Sequence, residues 1–76
     1  MFVPKVSEIK RRRIEAGYSC QGLSLLAGLP KNAILRIERD QASYTYPIRA
    51  RAIAEALHCK VEDIFTITDG EGGAIR

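Results

Sequence analysis

Lys31, Asn32, Leu35, Arg36 and Arg39 are the side chains whose types and spacing point to chemistry. Drawn as a helix over about residues 31–39, at about 100° per residue, they share one side, while Ala33, Ile34 and Ile37 share the other. Lys and Arg donate hydrogen bonds to O6 and N7 of guanine, Asn pairs with N6 and N7 of adenine, an apolar side chain meets the thymine methyl, and the major groove admits an α-helix. The pattern predicts that Lys31, Asn32, Leu35 and Arg36 read base edges and that Arg39 meets a phosphate. The plainer explanation is an exposed helix whose cations only meet water. An exposed leucine among them speaks against it, but single exposed apolar residues are common enough to make this weak.

Such a helix needs others to hold it. Residues 20–27 read as a preceding helix, with Leu23, Leu26 and Ala27 as its apolar stripe, Ser19 as its cap and Tyr18 packing on Leu23. Gly28 ends it and Pro30 presets the next start, so residues 19–40 form two helices hinged at a glycine. Gly22 costs about 1 kcal/mol in a helix relative to Ala, and only close packing or close backbone approach would explain it. A first helix spans about residues 7–16, capped by Ser7 or a neighbour and stopped by Gly17. Its inward side holds Val6, Ile9 and Ala16 together with Arg13, which therefore needs a partner. Pro47 opens a fourth helix ending near His58, with Ile53, Ala56 and Leu57 inward, backed by Ala50 or Ala52. Residues 60–65 form a short fifth helix whose first turn holds Glu62 and Asp63 and whose Ile64 and Phe65 close the core. Residues 66–76 read as a glycine-rich mobile tail, in which Thr66, Ile67 and Thr68 could form a short strand.

Seventy-six residues at 46% apolar and 28% charged suit one domain over residues 1–76, with one core. Residues 1–39 hold eight Lys or Arg against three Glu, a balance of +5, and residues 40–76 hold four against six Asp or Glu, a balance of −2. A basic half of this kind suits a polyanion, although lopsided charge is also common in small soluble domains. Cys20 and Cys59 lack the number and spacing of a zinc site or disulfide framework, so a reduced, cytoplasmic setting is expected, with no metal and no cofactor. No apolar stretch approaches the roughly 20 residues that cross a bilayer. A nucleophile–base pair, metal cluster or phosphate loop is lacking, which argues against an enzyme.

The stretch from Ile9 to Phe65 resembles the Cro and phage-repressor type, or XRE-type, helix-turn-helix DNA-binding family. The resemblance rests on Arg13 with Gly17, the turn Gly28, the apolar Ile34 and Ile37, the run RIER at 36–39, and IAEAL at 53–57 followed by DIF. It implies an all-α fold, a five-helix lambda-repressor-like domain. The family's base-reading places fall on Lys31, Asn32 and Arg36, and its structural ion pair on Arg13 and Glu38. Where the family carries a phosphate-binding glutamine this chain has Cys20, with Gln21 a possible substitute. A thiol at a helix start can have a lowered pKa, which invites a redox switch, whereas a packed, inert thiol is the usual case. Pro30 replaces a Ser or Thr cap, and His58 replaces a glycine at a position suited to a left-handed backbone.

Family members often contact phosphate through the loop after the recognition helix, which here offers the hydroxyls of Ser43, Tyr44, Thr45 and Tyr46, followed by Arg49. One tyrosine is expected to contact phosphate and the other to pack over the core edge. Lys10 and Arg11 are further phosphate candidates, with a solvated helix face as the even alternative. The sequence thus predicts a double-stranded DNA-binding regulator, a repressor rather than an activator, acting as a homodimer on an inverted-repeat operator. The alternative is an antitoxin or other protein-interaction module with a protein partner and secondary DNA binding.

Overall fold

The computed structural model describes residues 2–41 and 44–67. Within them the order is β1 (Phe2–Pro4), α1 (Val6–Glu15), α2 (Cys20–Leu26), α3 (Ala33–Glu38), α4 (Pro47–Ala56), α5 (Val61–Ile64) and β2 (Phe65–Ile67). Five helices stand in the expected order, but the third and fifth are shorter than expected, and Phe65 opens strand β2 instead of closing α5. Ser43 and residues 68–76 of the expected tail lie outside the described residues.

A small antiparallel sheet accompanies the helices. β1 pairs with β2 in the register Phe2 with Ile67, Val3 with Thr66 and Pro4 with Phe65. The Lys5 amide extends the pairing to the Ile64 carbonyl at 2.9 Å, and the Thr45 amide donates to the Phe2 carbonyl at 2.7 Å on the other side. Thr66 and Ile67 are therefore strand residues. Their partner at the N-terminus carries no signal of its own, because three residues paired across most of the chain leave no local pattern.

Four helices end alike. After α1, α2, α3 and α4 the residue with positive φ is Gly17, Gly28, Asp40 and His58 respectively. At each, the next amide reaches back five residues, as in Gln41 to Arg36 at 2.8 Å and Cys59 to Ala54 at 3.0 Å. This is the Schellman arrangement, which satisfies carbonyls that the helix leaves unpaired. His58 has the left-handed backbone expected of it, and Asp40 adds a second non-glycine example.

Ile9, Leu23, Ile34, Ile37, Ala50, Ile53, Ala54, Ile64 and Phe65 form the core, with Phe2 edge-on to Phe65. Three expectations are corrected here. α1 starts at Val6 with Lys5 in the cap position and no side-chain cap, so Ser7 lies within the helix. Ala16, expected inward, is exposed at the end of α1. Leu26 is 55% exposed, and Ser24 is fully buried in the place the apolar stripe would suggest for it. The buried side of α2 runs through Cys20, Leu23, Ser24 and Ala27, which leaves Leu26 roughly 110° away round the helix.

Candidate nucleic-acid interface

α3 is held by its inner side and free on its outer one. Ile34 and Ile37 are buried, whereas Lys31, Asn32, Arg36 and Arg39 are exposed. Leu35 is half-buried, so its weight as an exposed leucine falls. Lys31 and Asn32 precede the helix instead of belonging to it. The Pro30 carbonyl accepts from the Ala33 amide at 2.9 Å, which makes residues 30–33 a turn, and the Asn32 carbonyl accepts from Arg36 at 3.0 Å. The wheel therefore extends too far toward the N-terminus. The turn, not the helix, brings Lys31 and Asn32 beside Arg36.

Asparagine in a cap position ordinarily folds back onto the helix amides. Asn32 makes no such bond. Its amide is left for an outside partner because another residue serves the helix start. Ser24 Oγ, on α2, accepts from the Ile34 amide at 3.0 Å and donates to the Cys20 carbonyl at 2.8 Å. Sequence reasoning missed Ser24, and no local signal marks it, since its partner lies ten residues away across a turn.

The angle of α3 is fixed at its other end. Arg13 Nε donates to Glu38 Oε2 at 2.7 Å and Arg13 Nη2 to Glu38 Oε1 at 3.1 Å, a two-pronged pair. Arg13 Nη1 also donates to the Tyr18 carbonyl at 2.8 Å, joining α1, the start of α2 and α3. The two side chains are only 13% and 8% exposed. Hydrogen bonding to Glu38 raises the Arg13 pKa above its ordinary value.

Other cations of α1 are also engaged. Arg11 pairs with Glu8 and, at 2.9 Å, with Glu15, and Arg12 pairs with Glu8 at 3.1 Å. Hydrogen bonding to Arg11 holds the Glu8 carboxyl below its usual range. Arg11 thus meets acids of its own helix, which sets it apart from the other proposed phosphate contacts. Lys10 is exposed and has no carboxylate partner among the described residues.

At the start of α2, Gln21 is exposed and Cys20 half-buried. Burial, followed by the charge of Glu38, raises the Cys20 thiol pKa. This direction is opposite to the one a thiolate switch requires. The Ser19 hydroxyl accepts from the Gly22 amide at 2.9 Å, capping α2. A Cβ on Gly22 would stand 3.1 Å from that hydroxyl, a tight contact that the serine side chain would have to yield to.

Tyr44 and Tyr46 do not divide their tasks. Both are exposed, and their rings stand edge to face with centroids 5.9 Å apart. Arg49 is exposed on the first turns of α4. Among the described residues no group of His, Cys, Asp and Glu is arranged to hold a metal ion, and no helix is long and apolar enough to cross a membrane.

Solved structures share this fold. The biofilm master regulator SinR in complex with DNA is 28% identical, with a TM-score of 0.71 over 76% of this chain and 95% of that one. The restriction-modification controller protein C.AhdI from Aeromonas hydrophila is 22% identical and shows the fold, with a TM-score of 0.70 over 76% of this chain and 86% of that one. A SinR–SinI complex matches at 28% identity and a TM-score of 0.69, over 75% of this chain and 55% of that one. Among curated proteins none matches. The family profile of the Cro/C1-type helix-turn-helix DNA-binding domain matches residues 8–70, through the α2–α3 hinge and the helices that brace it, and the chain belongs to that family.

Proposed function

We propose that the chain is a sequence-specific, double-stranded DNA-binding transcriptional repressor that lays α3 in the major groove. Lys31, Asn32, Leu35 and Arg36 face base edges, and Gln21, Arg39, Tyr44, Tyr46, Arg49 and Lys10 face phosphates. One observation carries this reading. Lys31, Asn32 and Arg36 stand together, exposed and without an intramolecular side-chain partner among the described residues, on α3 and the turn that enters it, whose inner side is locked by Ile34, Ile37 and the Arg13–Glu38 pair. Unpaired donors on a rigid support suit readout, because the donors need leave no internal partner and the backbone that carries them is already ordered. The likeness to DNA-bound SinR supports the same placement.

A homodimer on two half-sites about 34 Å apart is the working form, since one small domain buries little DNA. Repression follows from occupancy alone, whereas activation would need a further surface for polymerase. The test is selection of bound sites from a random duplex pool, followed by gel shift. Asn32→Ala should relax preference at one base position by about 1–3 kcal/mol, leaving the other positions as they were. If Lys31, Asn32 and Arg36 could all become alanine without loss of specific binding, the readout assignment would be wrong.

A second reading, an antitoxin or other partner-binding module, has one observation in its favour. Leu26, Ala27, Ala52 and Ala56 line an open groove together with Tyr18, Glu55 and His58. Co-purification of one stoichiometric protein that still binds after Lys31, Asn32 and Arg36 are replaced would favour this reading over a stand-alone repressor.

A further inference from the structure

A hollow between α3 and the start of α4 encloses about 430 Å3. That lies within the roughly 300–1,000 Å3 typical of small-molecule sites. Three kinds of surface converge on it. Its inner side is formed by the buried Ile37, Ile53 and Thr45 with the half-buried Leu29, apolar apart from the threonine. Tyr44 and Tyr46 provide exposed aromatic walls. Lys31, Arg36 and Arg49 stand exposed around it, with no carboxylate partner among the described residues.

A DNA duplex satisfies these surfaces only in part. Its base edges and phosphates can meet the three cations and the tyrosine hydroxyls, but its bases are stacked inside it and offer no free aromatic face to the tyrosine rings or the inner side of the hollow. All three surfaces are matched by a flat aromatic ring with an anionic group. The ring would pack on the tyrosines and Leu29, and the anion would accept charge-assisted hydrogen bonds from the arginines and lysine.

We propose that this hollow binds a small planar aromatic anion, a carboxylate or a phosphate, and that occupancy withdraws Lys31, Arg36 and Arg49 from DNA, making the hollow an effector site. The regulatory half rests on the DNA-reading assignment above, while the binding half does not. The same cations cannot satisfy both partners, so the ligand and the duplex compete and each weakens the other's apparent affinity.

The test titrates the full chain with naphthoate and with naphthyl phosphate by calorimetry, using naphthalene methanol and inorganic phosphate as controls. At least one naphthyl anion should bind saturably, one per chain, about tenfold or more tighter than either control. Tyr46→Ala and Arg49→Gln, both at exposed positions, should each weaken it about tenfold, and Glu55→Gln should leave it unchanged. Preference between the two anions identifies carboxylate or phosphate as the source. The site is overturned if neither anion binds saturably, if inorganic phosphate binds equally well, or if both site variants bind like the parent. Adding the winning anion to a selected duplex should raise the protein concentration needed for half-saturation in proportion to the anion. Binding without displacement overturns the effector role. A chain that takes naphthoate but selects no duplex would sink the DNA-reading assignment and the effector role with it, leaving the site itself supported.

Discussion

α1 and the α3–α4 edge present the same residue types with opposite consequences. The run from Lys10 to Arg13 is the densest positive stretch in the sequence, yet Arg11, Arg12 and Arg13 all meet carboxylates of the chain itself. Lys31, Arg36, Arg39 and Arg49 are scattered, and none has such a partner among the described residues. Charge counted along a sequence is therefore not charge available to a ligand. Glu8 and Glu15 sit three or four residues from Arg11, the spacing at which helix side chains meet. Exposed pairs of that kind contribute only about 0.2–1 kcal/mol, so their effect is mainly on the potential at the surface. The pair Arg13–Glu38 differs from both groups, because it is nearly buried and braces the recognition element.

The sharpest way to break this comparison is at that pair. Arg13→Ala strands the Glu38 carboxylate at low exposure and should cost about 3–5 kcal/mol in denaturant unfolding, a large part of a total near 4–11 kcal/mol for a chain of this size. A loss below about 1 kcal/mol would show the pair to be no different from the exposed ones. Ser24→Ala comes next. It removes the acceptor of the buried Ile34 amide and should cost about 1–3 kcal/mol, with specific DNA binding weakened beyond the stability loss because α3 loses its support at the readout end.

The contrast between free and engaged cations is tested by salt. Arg49→Gln should reduce the slope of log affinity against log salt by about 1 and weaken all duplexes alike, while Arg11→Gln should change that slope much less. Equal slopes for the two variants would erase the distinction drawn between α1 and α4. Acidification gives the smallest effect. The Glu8 carboxyl is held below its usual range by Arg11, so its contribution is present above the ordinary carboxylate pKa and is lost as pH falls through the lowered value. Thermal melts from neutral to acid pH should show Glu8→Gln slightly less stable than the parent at pH 7 and equal to it in acid. A difference that persisted in acid would mean that packing, not charge, was being measured.

Much of the frame is legible in the sequence because its signals are local. Gly17 and Gly28 have the positive φ that ends α1 and α2, and Ser19 caps α2 as its position suggests. Ile34 and Ile37 against Arg36 and Arg39 give the two sides of α3 directly. Errors arise where a residue's role depends on a distant neighbour. Leu26 fits an apolar stripe as well as Ser24 does not, yet Ser24 is the buried one, because its hydroxyl joins two helices. Tyr44 and Tyr46 settle against each other and not one against the core, a choice made by the loop's path. Lys31 and Asn32 sit on a turn, since Pro30 contributes a carbonyl to Ala33 but can donate no amide of its own.

The sequence by itself determined which segments are helical, where glycines stop them, and which side of α3 carries donors, because periodicity and turn chemistry act within a few residues. Tertiary structure alone decided which of those donors stay free. It paired β1 with β2 across the length of the domain, brought the Ser24 hydroxyl to the start of α3, and matched Arg13 of α1 with Glu38 of α3 while leaving Lys31, Asn32 and Arg36 unpartnered among the described residues. Availability of a polar group depends on what lies within about 3 Å of it in space. For Arg13 and Ser24, that neighbour lies on another element.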